Sequence, residues 1–325
     1  MATDPSLSPL DALPRVGWMA SPSPPREKRL LPVLLLGLTC LTTLAAGFFL
    51  DLGFAGSDAA AERLGRLMTR PWEILSGWPF AVSILAFLLA HELGHYLTCR
   101  YYGIRATLPY LLPAPPLVVP FGTFGALIRI KSLFLDRRQL FDVGIAGPLA
   151  GFVVVVPILV VGTMLSVDYL PPEEPGLSLE VGEPLLFQLA VRLFFPGTGP
   201  DINLHPVGWA AWFGMLATSL NLLPIGQLDG GHVVYALFGE RGHRLISVAV
   251  FVVLVILGLA AWPMLTYLLF AVVVLLVMRF RHPPPLLGEG NLGRVRIWLA
   301  VAAAVIFILT FIPVPVKLVE HVGRL

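Results

Sequence analysis

The stretch PFAVSILAFLLAHELGHYLTC, Pro79 to Cys99, is hydrocarbon-like apart from His91, Glu92 and His95. A charged side chain at the centre of a membrane helix costs roughly 2.5–3.5 kcal/mol on insertion scales, so polar groups held there are expected to do chemistry. The i, i+4 spacing puts both histidines on one helix face, where they can ligate a single metal ion. Glu92, one step round the helix, can reach a water in the ion's open position without itself being a ligand. HELGH in this setting is a hydrolase signature in a place where water is scarce.

The surrounding composition makes that setting a membrane. The chain of 325 residues is 57% hydrophobic and 13% charged, against about 25% charged for an ordinary soluble domain. Mean hydropathy is +0.83. A net charge of +2 gives no reason to invoke nucleic acid, and Cys40 and Cys99 lie in apolar segments that imply no disulfide framework. Many apolar runs are long enough to cross a bilayer core of about 30 Å. They predict an all-α polytopic membrane protein of about seven transmembrane helices, over 30–50, 79–100, 140–165, 206–224, 245–261, 263–280 and 296–313.

Residues 1–29 are Pro- and Ser-rich and end in Arg26, Lys28 and Arg29, which reads as a disordered cytosolic tail, not a cleaved signal. Residues 30–78 then form the first transmembrane helix, still open to reading as a signal anchor, and an outer loop. With the N-terminus cytoplasmic, sixteen of the 22 Lys and Arg fall on that side against six opposite, which favours N-inside and C-outside. The acidic outer loop 166–205 contains PLLFQLAVRLFF, too short to span, which reads as an interfacial helix.

Between the second and third spans, TLPYLLPAPPLVVPFGTFGALIRIK over 107–131 is apolar, yet its five prolines forbid an ordinary helix. Irregular backbone at membrane depth is tolerated only where protein or a water-filled cavity surrounds it. The stretch is therefore expected as a re-entrant loop or short β-hairpin, with FGALIRIK as a strand whose free edge can pair with an unwound substrate. A hydrophobic surface loop is the alternative. A catalytic zinc also wants a third protein ligand. Asp229, in NLLPIGQLDGG beginning at Asn221, is the candidate, because Pro224, Gly226, Gly230 and Gly231 would break the helix and let the carboxylate turn inward. Standing alone, it would be an ordinary loop aspartate.

HELGH together with NLLPIGQLDGG resembles the site-2 protease family of intramembrane zinc metalloproteases. The intervening FGTFGALIRIKSLFLDRRQLFDVGIAGPLAGF is similar to its EGY-type and bacterial branch. The resemblance implies a three-helix catalytic core within 79–240, followed by C-terminal transmembrane helices over 241–325. It implies one zinc ion held by His91, His95 and Asp229, Glu92 as general base, and Asn221 in substrate or oxyanion binding. It also implies transmembrane-helix proteins as substrates, cut within or near the bilayer by zinc-activated water. Manganese and iron accept the same N,N,O donors. The short 166–205 loop leaves no room for an inserted PDZ domain.

Other polar residues carry weaker expectations. Cys99 follows His95 by four and could ligate, though an inert thiol is the simpler reading. His232 is either a partner supporting a ligand or a solvated loop histidine. Asp142 is expected to cap the third helix, and Gly147-Pro148 with Gly151 to permit close helix packing. His243 and His282 read as ordinary residues of basic loops. A catalytically inactive membrane chaperone or metal-binding transporter is the alternative function. The N-terminal stretch, without a clear transit peptide, favours a bacterial plasma membrane over a plastid one.

Overall fold

Long runs of Leu, Val, Ile and Ala offer the backbone no polar partner but itself, so the chain closes its hydrogen bonds within helices. A computed structural model describes residues 30–168, 176–196, 202–260, 266–277, 284–286 and 291–321. The tail expected over 1–29, and His282, lie outside them. The chain opens with α1 (Leu30–Ala55), α2 (Ser57–Arg66), a 3-10 helix (Pro71–Gly77) and α3 (Trp78–Tyr101). Next come β1 (Tyr110–Pro113), β2 (Thr123–Leu127), α4 (Arg137–Met164), β3 (Val167–Asp168), β4 (Gly176–Val181), α5 (Leu185–Phe194) and β5 (Ile202–Asn203). It continues through α6 (Pro206–Leu222), α7 (Asp229–Ala260), α8 (Thr266–Val277), α9 (Gly293–Thr310) and β6 (Val316–His321).

Among the described residues, five stretches are long and apolar enough to cross a membrane: Leu30–Ala55, Pro71–Tyr101, Arg137–Met164, Asp229–Ala260 and Gly293–Thr310. The helix expected over 206–224 is α6, of 17 residues. That expected over 263–280 is represented by α8, with 12 residues described. The expected span 245–261 is not separate but the second arm of α7, which is broken at Gly239 (φ 70, ψ −172).

Lipid tails are as apolar as leucine, so these helices associate through close approach of small residues. Gly94 of α3 sits on the Ala146 carbonyl of α4, Gly162 of α4 on Gly208 of α6, and Gly47 of α1 on Gly77. Around the α3–α4–α6 contacts pack Phe80, Ile84, Phe87, Val155, Leu159 and Met215, with Phe187 and Val191 of α5 closing one side. A second cluster joins α4 to α7 and α9 through Phe141, Ile145, Val233, Ala236 and Ile306.

The proline-rich stretch after α3 is a hairpin. β1 and β2 pair antiparallel from Tyr110↔Leu127 to Pro113↔Thr123, with an irregularity at Leu112/Pro113, and a bridge at Ala106↔Ile130 lengthens the ladder. Its turn is anchored: Phe121 stacks near Phe80, Trp212 and Phe213, while Gly122 (φ +69) lies against the backbone of Thr42 and Thr43 in α1. The hairpin is thus wedged among α1, α3 and α6.

Candidate active site

His91 and His95 face the same side of α3, with ring centroids 4.9 Å apart. Their Nε2 atoms are 3.2 Å from each other, and Asp229 Oδ2, at the start of α7, is 3.3 Å from both. A tetrahedral ion with bonds of 2.0–2.1 Å has donors separated by about 3.3–3.4 Å. The three separations match that edge, so the donor set fits such an ion. Among the described residues these three form the cluster suited to a metal. His91 and His95 are 4% and 7% exposed, so little water screens the donors.

His95 and Asp229 are aimed by their surroundings. His95 Nδ1 donates to the Val143 carbonyl of α4 at 2.7 Å, which leaves the Nε2 lone pair for a cation. Glycines on α4 make the space. A Cβ on Gly147 would fall on the His95 ring, one on Gly151 would press on Phe87 and His91, and one on Gly144 would meet His232 and the Asp229 carbonyl. Leu223 leaves helical geometry (ψ 129) and ends α6. Gly226, at φ +55, then turns the chain so that Asp229 opens α7 beside the histidines.

Glu92 is buried, its carboxylate beside the Ile128 amide just past β2 and within electrostatic range of His91, His95 and Asp229. The Asn221 side-chain nitrogen lies 3.2 Å from His91 Nε2. The structure therefore gathers His91, Glu92, His95, Asn221 and Asp229 around one point.

Residues 79–265 match peptidase family M50. This chain belongs to that family. The probable chloroplastic zinc metalloprotease EGY1 of Arabidopsis thaliana is 32% identical over 257 residues, covering 75% of this chain and 44% of that protein. Its counterpart from Oryza sativa subsp. japonica is 30% identical over 256 residues, covering 76% and 42%. The probable chloroplastic zinc metalloprotease EGY2 of Arabidopsis thaliana is 32% identical over 173 residues, covering 51% and 29%. The matched stretch is less than half the length of each of these relatives.

The other residues singled out in this M50 chain lie outside the donor set. Cys99 packs with Ile104 and Val143, as an inert thiol would. Asp142 does not cap α4: Asp136 does, accepting from the Gln139 amide at 2.8 Å, because the helix begins at Arg137. Asp142 instead forms a two-pronged ion pair with Arg296 of α9, at 2.8 and 2.6 Å, and accepts from the Tyr102 hydroxyl. His232 belongs to the first turn of α7, its ring edge-on to Phe134 at 6.0 Å, not to a solvated loop. His243 is no loop residue either. It is 1% exposed inside α7, because the α7 helix begins at Asp229 and the break falls at Gly239. Arg296 and His243 had no sequence signal, since their partners lie far away in the chain or on backbone carbonyls.

Proposed function

We propose that this protein is an intramembrane zinc metalloprotease that hydrolyses peptide bonds within or near transmembrane helices of membrane-protein substrates. The observation that carries the reading is the convergence of His91 Nε2, His95 Nε2 and Asp229 Oδ2 at tetrahedral-edge separations inside a dry helix cluster. Membership of a peptidase family and the zinc named for its relatives support it. His91, His95 and Asp229 hold the ion. Bound zinc supplies Lewis acidity, lowering the pKa of water from 15.7 to about 7.

Glu92 takes the proton from the attacking water and returns it to the departing amide nitrogen, help that typically contributes 10²–10⁴-fold. Asn221 donates its amide N–H toward the carbonyl oxygen that gains charge. The second arm of the hairpin runs past Glu92 at Ile128, so an unwound substrate strand paired along it is delivered to the acid–base group. A substrate helix must open locally first, because its carbonyls are tied up in its own hydrogen bonds.

Residues 79–240 form the catalytic core, with the hairpin re-entrant beside α3, α4 and α6; 30–78 lead into it and 241–325 supply C-terminal spans. Adding α6 and α8 to the five long apolar stretches, with α7 crossing once through its second arm, gives seven spans, with the N-terminus cytoplasmic. A bacterial plasma membrane suits the sequence, and a plastid membrane is the alternative, since the relatives are named chloroplastic.

The test is metal analysis of the purified wild type beside Asp229→Ala, together with cleavage of a model single-pass helix by wild type and Glu92→Gln. One zinc per wild-type chain, loss of zinc in Asp229→Ala, and retained zinc with lost cleavage in Glu92→Gln are expected. A Glu92→Gln protein that cleaves normally would overturn the mechanism.

A further inference from the structure

The segment between Asn221 and Asp229 must hold two site residues in register, yet it is a short loop with little regular structure of its own. Its carbonyls are gripped from an unexpected direction. His243 Nε2–H donates to the Gly226 carbonyl at 2.9 Å, and the Ser247 hydroxyl donates to the Pro224 carbonyl at 3.1 Å. Both side chains are fully buried. Gly231, in the first turn of α7, leaves room for the same Gly226 carbonyl, where a Cβ would collide with it.

Had α7 been straight, His243 would stand about 21 Å along the axis from Asp229, at 1.5 Å per residue. The left-handed break at Gly239 (φ 70, ψ −172) brings the second arm back. Tyr235 in the first arm accordingly packs against the His243 ring, with centroids 5.7 Å apart. The Gly226 carbonyl is thus held between the two arms of one broken helix, three residues before Asp229.

Resting on the zinc-protease reading above, we propose that His243, with Ser247, is a positioning residue that fixes the Asn221–Asp229 loop so that the Asp229 carboxylate meets His91 and His95. The second arm of α7 then has a function beyond crossing the membrane: it braces the distant acid of the site. His243 is not one of the three donors and acts on them through the Gly226 carbonyl.

The test uses the full chain in detergent with three variants. His243→Gln keeps an N–H donor at similar reach, His243→Phe keeps a ring and removes the donor, and Ser247→Ala removes the second bond with little change in volume. Zinc retention is measured by equilibrium against a graded chelator, beside kcat, KM and thermal unfolding. His243→Phe is expected to hold zinc about tenfold less tightly and to lower kcat with KM little changed. His243→Gln should stay within about twofold of wild type, and Ser247→Ala should lose roughly threefold. Wild-type zinc retention in His243→Phe would overturn the proposal, as would an equal loss in His243→Gln, which would make the ring and not its donor responsible. Should His243→Phe not fold, unchanged zinc retention in Ser247→Ala overturns it. A wild type that binds no zinc removes the underlying reading and this proposal together, an outcome distinct from any difference among variants.

Discussion

Gly147→Ala probes how α4 shapes the site. The new methyl would land on the His95 ring, against Nε2, Cδ2 and Cε1, far inside the 3.4 Å at which ordinary contact begins. The imidazole cannot step aside without giving up its 2.7 Å bond to the Val143 carbonyl. Nor can its Nε2 then stay 3.2 Å from His91 and 3.3 Å from Asp229. Overpacking of this kind costs about 1–3 kcal/mol, whereas replacing a helix-interior glycine by alanine returns about 0.5–1 kcal/mol. The net loss of stability is therefore about 0–2.5 kcal/mol, small enough for the protein to fold. The donor geometry has no such tolerance, and zinc retention should fall about 100-fold, the upper end for disturbing a ligand's support. Thermal unfolding and chelator competition on the same preparation separate the two effects. Gly53→Ala in α1, where a Cβ meets nothing within 4 Å, is the control and should leave zinc unchanged. Wild-type zinc retention and cleavage in Gly147→Ala would refute the assigned role of the α4 glycine face.

Three further outcomes are expected. Asn221→Ala should keep its zinc and lose about 10²–10³-fold in kcat, the effect of removing one donor to the developing oxyanion; an unchanged kcat would exclude that role. Arg296→Met strips the cation from Asp142, whose side chain is 20% exposed, and should cost about 1–3 kcal/mol in unfolding free energy, with Asp142→Asn/Arg296→Met recovering part of it in a double-mutant cycle. Burial lowers the His205 pKa below its ordinary 6.5, and its neutral Nδ1 accepts from the Val207 amide at the start of α6. The unfolded chain therefore takes up that proton first, so this contribution is complete above pH 6.5 and erodes as pH falls through 6.5 toward the lower folded value. His205→Asn, which keeps a capping acceptor, should flatten that acid slope; an identical slope would rule His205 out as its source.

What could be read in the chain without coordinates depended on how far each signal travels. HELGH is a local pattern, because helical spacing alone puts His91 and His95 on one face. Asp229 was legible because proline and glycine mark where a helix must end and a carboxylate can turn. The prolines of 107–131 excluded a helix for the same local reason, and β1 and β2 are what remains. The misreadings are of another kind. Asp142 near a helix start looked like a cap, but Asp136 lies at the true boundary and Arg296, 154 positions away, claims Asp142 instead. His243 looked like a loop residue because nothing in FGERGHR announces that Gly239 kinks a continuing helix. Hydrogen bonds to backbone carbonyls, as from His243 to Gly226 and from His95 to Val143, leave no trace in residue identity at the acceptor.

The glycine spacing on α4 links helix assembly to chemistry. Gly144, Gly147 and Gly151 follow i, i+3 and i+7, one face of a helix. Each faces a different functional group: the Asp229 carbonyl with His232, the His95 ring, and His91. In lipid there is no hydrophobic force to draw helices together, so close approach along small residues must supply the contact. The surface that lets α3, α4 and α7 approach is therefore the same surface that shapes the cavity around the three donors. A side chain added at Gly147 must disturb metal binding before it disturbs folding, because the His95 ring beside it is aimed by one hydrogen bond to the Val143 carbonyl while the helices are held by many contacts. At Gly37 and Gly53 of α1, where a Cβ would meet nothing within 4 Å, the same substitution should affect neither.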